Sequence, residues 1–139
     1  MTYTFIETST EIHAPASRVW GMFTDASFTE QMGGKYVSDW KVGSLLQWQN
    51  LSGQILTNGM ILEIEPQRIL KHDLFSNPES SSVIATLTYT FSESDKRTTI
   101  SIREDFVNPI TEQEYSDSIE GWKSALSGAK KIAEKLANI

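Results

Sequence analysis

The sequence predicts an α+β fold. A curved antiparallel sheet of about seven strands wraps around a long C-terminal helix, with two short helices after the first strand. Three observations predict it. Apolar residues alternate at period two through most of the chain. Helical spacing interrupts that alternation once, between residues 15 and 34. From Thr111 onward the apolar residues step by four and three, which is the spacing of a helix with one buried stripe.

The first strand is expected over Tyr3 to Ile12, with Ile6, Thr8, Thr10 and Ile12 on one face. Pro15 opens a helix, because proline suits the first helical turn. Val19, Trp20 and Phe23 form its stripe. A second short helix around Phe28 to Met32 is closed by Gly33-Gly34. Strands follow at Lys35 to Trp40 and around Leu46 and Trp48. Asn58-Gly59 reads as a hairpin turn leading into Met60, Leu62 and Ile64. Pro66 stops that strand. Three more are expected at Ile69 to Phe75, Val83 to Phe91 and Arg97 to Phe106. In the second of these Val83, Ala85, Leu87, Tyr89 and Phe91 alternate with threonines, so one face is wet. Ser76 to Ser82 is a loop between strands. The last helix starts at a capping box, Thr111-Glu112-Gln113-Glu114. Tyr115, Ile119, Trp122, Leu126, Ala129, Ala133 and Leu136 make one stripe. Acidic residues fill its first half and lysines its second, which complements the helix dipole.

The chain has 139 residues, of which 39% are hydrophobic and 22% charged, enough for one core and one domain spanning 1–139. Its net charge of −6 would repel a phosphate backbone, so no nucleic acid partner is expected. There is no cysteine, which excludes thiol catalysis, thiolate metal sites and disulfides. No run approaches the roughly 20 apolar residues of a membrane span, and the N-terminus lacks a signal-peptide pattern. A cytoplasmic location is expected. Exposed edge strands are where two copies could pair as a homodimer.

A single helix must bury its stripe on one face of the sheet. A sheet that curls around one helix is wider than the helix, so a gap between them is expected. Four stretches then resemble a known family: Ile12 to Trp20 at the entry to the first helix, Trp40-Lys41-Val42-Gly43-Ser44 at a turn, Gly59 to Leu70 through a strand, proline and strand, and Glu120 to Leu126 at the start of the closing helix. Together they resemble a START/Bet v 1-type helix-grip domain, in the branch named after the activator of Hsp90 ATPase. Two positions depart from the family's pattern: Met32 stands where a tryptophan is common, and Ser44 where a second glycine is. Both bear on the shape of the cavity mouth rather than on the fold. The resemblance implies binding of apolar or amphipathic small molecules, with cyclases and aromatases also within the superfamily.

The cavity lining is expected from Trp48 and Leu62 in the middle strands, His72, Leu87 and Tyr89 in the next two, Ile102 and Glu104 in the last strand, and Trp122 and Leu126 in the helix. His72 shares a face with Leu70 and Leu74, so it is either a hydrogen-bonded core residue or a group that meets a ligand. Glu104 shares a face with Ile100 and Ile102. Either it faces inward as an acid or anchor, or the pleat breaks there and it pairs with Arg103 or Arg68. Trp48, Tyr89 and Trp122 could wall a flat ligand or simply fill the core. Thr8 and Thr10 would add a polar side. Gly-x-Gly-x-x-Gly, phosphate-loop, nucleophile-elbow and His-Glu-x-x-His motifs are missing, and no cofactor, metal or catalytic residue is assigned. Three functions stay open: a carrier or sensor of a small apolar or amphipathic molecule, a cyclase, aromatase or small hydrolase using the polar cavity groups, and an Hsp90-type co-chaperone.

Overall fold

A computed structural model describes residues 1–138. Strand β1 (Thr2–Ile12) leads into three single-turn helices, α1 (Ala16–Val19), α2 (Gly21–Thr24) and α3 (Ala26–Thr29), and a 3₁₀ turn (Glu30–Met32). Six strands follow: β2 (Gly34–Ser38), β3 (Leu45–Asn50), β4 (Ile55–Glu65), β5 (Ile69–Phe75), β6 (Val83–Ser94) and β7 (Arg97–Thr111). Helix α4 (Glu112–Ala137) closes the chain. All seven strands form one antiparallel sheet in the order β1-β7-β6-β5-β4-β3-β2. The short helices therefore carry the chain from one edge of the sheet to the other.

The helical crossing is built from local signals. Pro15 caps α1 with φ −68°. Asp25 caps α3, its carboxylate accepting from Ser27 N at 2.9 Å. Gly33 ends the 3₁₀ turn at φ +94°, a conformation that costs glycine little. Val19, Phe23 and Phe28 face the core, where Phe23 meets Trp20, Tyr36, Tyr89 and Phe91 edge to face. In β1, Ile6 and Ile12 are fully buried and Thr8 and Thr10 partly so, as the alternation predicts. In β6 the inward residues are Ala85, Leu87, Tyr89 and Phe91.

Helix α4 begins at the capping box: Thr111 Oγ1 accepts from Glu114 N at 3.1 Å, and Glu114 Oε1 accepts from Thr111 N at 2.9 Å. Leu126, Ala129 and Ala133 are its buried stripe. The helix is fastened to the β1 side of the sheet. Tyr115 stacks on Tyr3 at 4.2 Å, Lys130 Nζ donates to Glu11 O at 2.9 Å, and Glu134 accepts from His13 N at 2.9 Å.

Three expectations need correction. Asn58-Gly59 is not a turn; it lies inside β4, and the β3–β4 hairpin turns instead at Asn50 to Gln54. There Asn50 Oδ1 accepts from Ser52 N and Gln54 N, forming the turn from its own side chain. Gly59 is required for a different reason: a Cβ there would lie 1.9 Å from the Asp73 carbonyl oxygen. Second, the β4 face is shifted. The register slips between Ile61 and Glu63, so Ile61 is fully buried while Met60 and Leu62 are exposed, Leu62 at 40%. Third, β2 stops at Ser38, and β7 runs on to Thr111 past Pro109, where its pairing jumps from Phe5↔Asp105 to Tyr3↔Ile110.

Gly59→Ala is expected to destabilise the fold by about 3 kcal/mol, because backbone must yield to the new methyl group. Gly121→Ala, at an exposed helical position with open space around it, is expected to stabilise by roughly 0.5–1 kcal/mol. Urea denaturation of both variants measures the contrast.

Candidate functional site

Because α4 is anchored over β1, the inner surface of β3 to β6 is left without a helical cover beyond Trp122. A cavity of about 340 Å³ occupies that space. Every strand from β2 to β7 contributes to its wall. Tyr36 comes from β2, Leu46 and Trp48 from β3, Thr57 and Asn58 from β4, His72 and Leu74 from β5, Leu87 and Tyr89 from β6, and Glu104 from β7. Trp122 of α4 and Met32 of the 3₁₀ turn complete it.

Of the expected lining, Trp48, His72, Leu87, Tyr89, Glu104 and Trp122 are brought together around this cavity. Leu62 is not: the slip in β4 turns it outward. Ile102 is buried in the core, one pair away from the wall, opposite Tyr89. Leu126 is buried too, but it borders a separate recess of about 290 Å³ between β1 and α4. Thr8 and Thr10 face that recess and not the main cavity. The sequence reading missed Tyr36, Leu46, Leu74 and Met32. Leu46 stands two residues from Trp48 and Leu74 two from His72, so the alternation already holds that signal. Thr57 and Asn58 were hidden by the mistaken turn.

Glu104 faces inward. The β7 pleat continues through it, and Leu87 is its cross-strand partner. Its hydrogen-bond donor is Trp122, whose Nε1 lies 3.0 Å from Glu104 Oε1. Arg103 pairs instead with Asp105 at 3.0 Å, and Arg68 with Glu65 at 2.8 Å. Burial pushes the Glu104 carboxyl above its ordinary range, and the bond from Trp122 opposes that rise.

His72 is only 6% exposed. Its Nδ1 lies 2.9 Å from the backbone oxygen of Asp73. A carbonyl oxygen only accepts, so Nδ1 carries the proton and Nε2 presents a lone pair. Nε2 has no hydrogen-bond partner among the described residues. Burial lowers the His72 pKa, against the smaller opposing pull of the Asp73 carbonyl and carboxylate. The imidazole is thus held neutral and in one tautomer. Its ring stacks on Tyr89 at 5.8 Å.

The Tyr36 and Tyr89 phenols are neighbours on the wall, and each shifts the other's titration. Burial raises Tyr36 to about 12 and Tyr89 well above the ordinary phenol range, the latter helped by Tyr36 and the nearby Glu104 charge. Both stay protonated at neutral pH. Tyr36 also packs on Trp48 at 4.8 Å, and Tyr89 on Trp122 at 6.1 Å. The cavity therefore has aromatic and aliphatic walls and a polar group of His72, Tyr36, Tyr89 and Glu104. Among the described residues no group of three or more acidic or imidazole side chains could hold a metal ion. No helix among them is long and apolar enough to cross a membrane.

A family model described as "Activator of Hsp90 ATPase homolog 1-like protein" matches residues 13–134. No curated protein matches the chain at a significant level. Among solved structures, ChR145 from Cytophaga hutchinsonii is 26% identical with a TM-score of 0.77, covering 100% of this chain and 99% of its own. CalU16 from Micromonospora echinospora is 20% identical with a TM-score of 0.72, covering 93% of this chain and 75% of that one. DynU16, a protein in the dynemicin biosynthetic locus, is 15% identical with a TM-score of 0.79; the match covers 95% of this chain and 48% of that one. The likenesses to CalU16 and DynU16 show the shared fold.

The lowered His72 pKa has a stability consequence. Below about pH 6.5 the unfolded chain takes up a proton on His72 that the folded chain resists, so stability is full above that pH and is lost on acidification through the folded pKa. Glu104 has the opposite sign: its raised pKa favours the folded state at low pH and is lost as pH rises through the folded value. The stability difference between wild type and His72→Phe is expected to move against wild type between pH 7 and pH 5. Urea midpoints across that range check it.

Proposed function

The chain belongs to the activator of Hsp90 ATPase homolog 1-like family, and we propose that this member is a receptor or carrier for a small apolar or amphipathic molecule held between the sheet and α4. One observation carries this reading: inward residues of β2 to β7 surround a space of about 340 Å³, within the range of small-molecule pockets. Its walls are mostly apolar and aromatic, and its few polar groups converge. That combination suits a ligand that buries its body and is oriented by one or two hydrogen bonds. The cysteine-free composition is in keeping with a reducing compartment such as the cytoplasm.

A second reading has its own supporting observation. An unpartnered imidazole nitrogen and a carboxyl with a raised pKa share one cavity, the pairing that acid–base chemistry of a cyclase or aromatase type requires. In that reading His72 accepts a proton from a bound substrate, and His72→Ala removes turnover while leaving binding measurable.

The receptor reading is tested by filling the cavity. Leu74 is half-buried on the wall, and Leu74→Trp is expected to keep the fold while weakening binding of lipid, aromatic and polyketide-like compounds at least tenfold. Thermal shift with such a panel, together with native mass spectrometry of the purified protein, provides the measurement. A panel in which no compound raises the melting temperature, with no carried molecule in the mass spectrum, would remove the receptor reading.

A further inference from the structure

The cavity wall holds an acceptor nitrogen with no partner and a carboxylate with no cation beside it among the described residues, and together they define a ligand class. The geometry points to an uncharged aromatic molecule that carries a hydroxyl or N–H group, donated to His72 Nε2, and it points away from carboxylic acids. This inference rests on the receptor reading and narrows it.

On the acceptor side stand two groups. His72 Nε2 is a buried lone pair with no partner among the described residues, and its tautomer is fixed by the Asp73 carbonyl on the far side of the ring. Glu104 keeps one carboxylate oxygen beyond the one that accepts from Trp122. On the donor side every group is neutral. Trp122 Nε1 donates to Glu104 and Asn58 Nδ2 donates one hydrogen to Pro78 O at 3.3 Å, while the Thr57, Tyr36 and Tyr89 hydroxyls are donors that carry no charge. No lysine or arginine is among the described residues that line the cavity. An anionic ligand would therefore meet the Glu104 carboxylate with no cation to offset it, in a space where charges are poorly screened. A donor-bearing ligand instead satisfies an acceptor that the fold leaves unpaired. The aromatic character follows from the wall: Tyr36, Trp48, Tyr89, Trp122 and the His72 ring present flat faces and edges.

Three probes with one ring system separate the terms: naphthalene, 2-naphthol and 2-naphthoate. They are titrated at pH 7.5, far above the ordinary carboxylate range, with the Trp122 indole cross-peak as reporter. 2-Naphthol is expected to bind about tenfold more tightly than naphthalene, and 2-naphthoate about tenfold more weakly. The His72 Nε2 nitrogen resonance is expected to shift with 2-naphthol and to stay in place with naphthalene. In Glu104→Gln the naphthoate penalty is expected to shrink, leaving only the cost of burying the ligand's own charge. Equal affinity for naphthalene and 2-naphthol, an unmoved His72 resonance, or tightest binding of 2-naphthoate would overturn this inference while leaving the receptor reading intact. A naphthoate penalty undiminished in a folded Glu104→Gln variant would also overturn it. Failure of all three probes to bind would count against the receptor reading and this inference together.

Discussion

A width mismatch governs this molecule. Seven strands spaced roughly 4.8 Å apart make a surface about 29 Å across, and one helix with its side chains covers only about 10–12 Å of it. Helix α4 therefore has to choose a side. It is held over β1 by the Tyr3–Tyr115 stack and by the bonds of Lys130 and Glu134 to the end of β1. The three short helices and their aromatic cluster around Phe23 cover part of what remains. The inner surface of β3 to β6 near Trp122 is left over, and the cavity is that remainder.

The remainder is lined unlike the core beside it. Ile61, Leu70, Ile100 and Ile102 are fully buried and purely apolar. Two strand positions further along, the same inward faces carry His72 and Glu104, and Asn58 of β4 borders the cavity as well. An apolar residue at each of these positions would bury more hydrocarbon and leave no polar atom to satisfy. Two of the three have found partners within the protein: Asn58 through Pro78 and Glu104 through Trp122. His72 has spent one nitrogen on the Asp73 backbone and kept the other unpaired. The cost of that lone pair is on the order of 1–3 kcal/mol, and it falls on the cavity wall rather than in the packed core.

Much of this was legible in the sequence, because period-two alternation reports which residues share a face. It puts Trp48, His72, Leu87 and Tyr89 on inner faces and leaves Glu104 open between an inward place and a broken pleat, and the helical stripe carries Trp122. It failed at Leu62 for a specific reason. A bulge inserts one residue into the count, and residues beyond it change face without any change in composition. The Asn58-Gly59 pair failed for a related reason. Glycine is demanded both by turns and by close backbone approach, and the dipeptide alone does not say which; here Asp73 of the neighbouring strand decides. Ile102 and Leu126 were correctly read as inward, but facing in and bordering the cavity differ. That difference depends on where α4 lies across the sheet, which is set by contacts more than 100 residues apart, such as His13 with Glu134.

The placement of the charge completes the argument. Glu104 is one of 18 acidic residues, but its neighbours Arg103 and Asp105 satisfy each other on the opposite face of β7 and leave it alone on the inner one. Its partner is an indole N–H, which can stabilise a carboxylate by a hydrogen bond but cannot neutralise it. A carboxylate held this way lends the cavity a negative potential, with two protonated tyrosines and a neutral imidazole as its only titratable neighbours on the wall among the described residues. Shape and apolar surface therefore set how tightly an occupant is held. The sign of this potential and the lone pair on His72 set which end of it enters first.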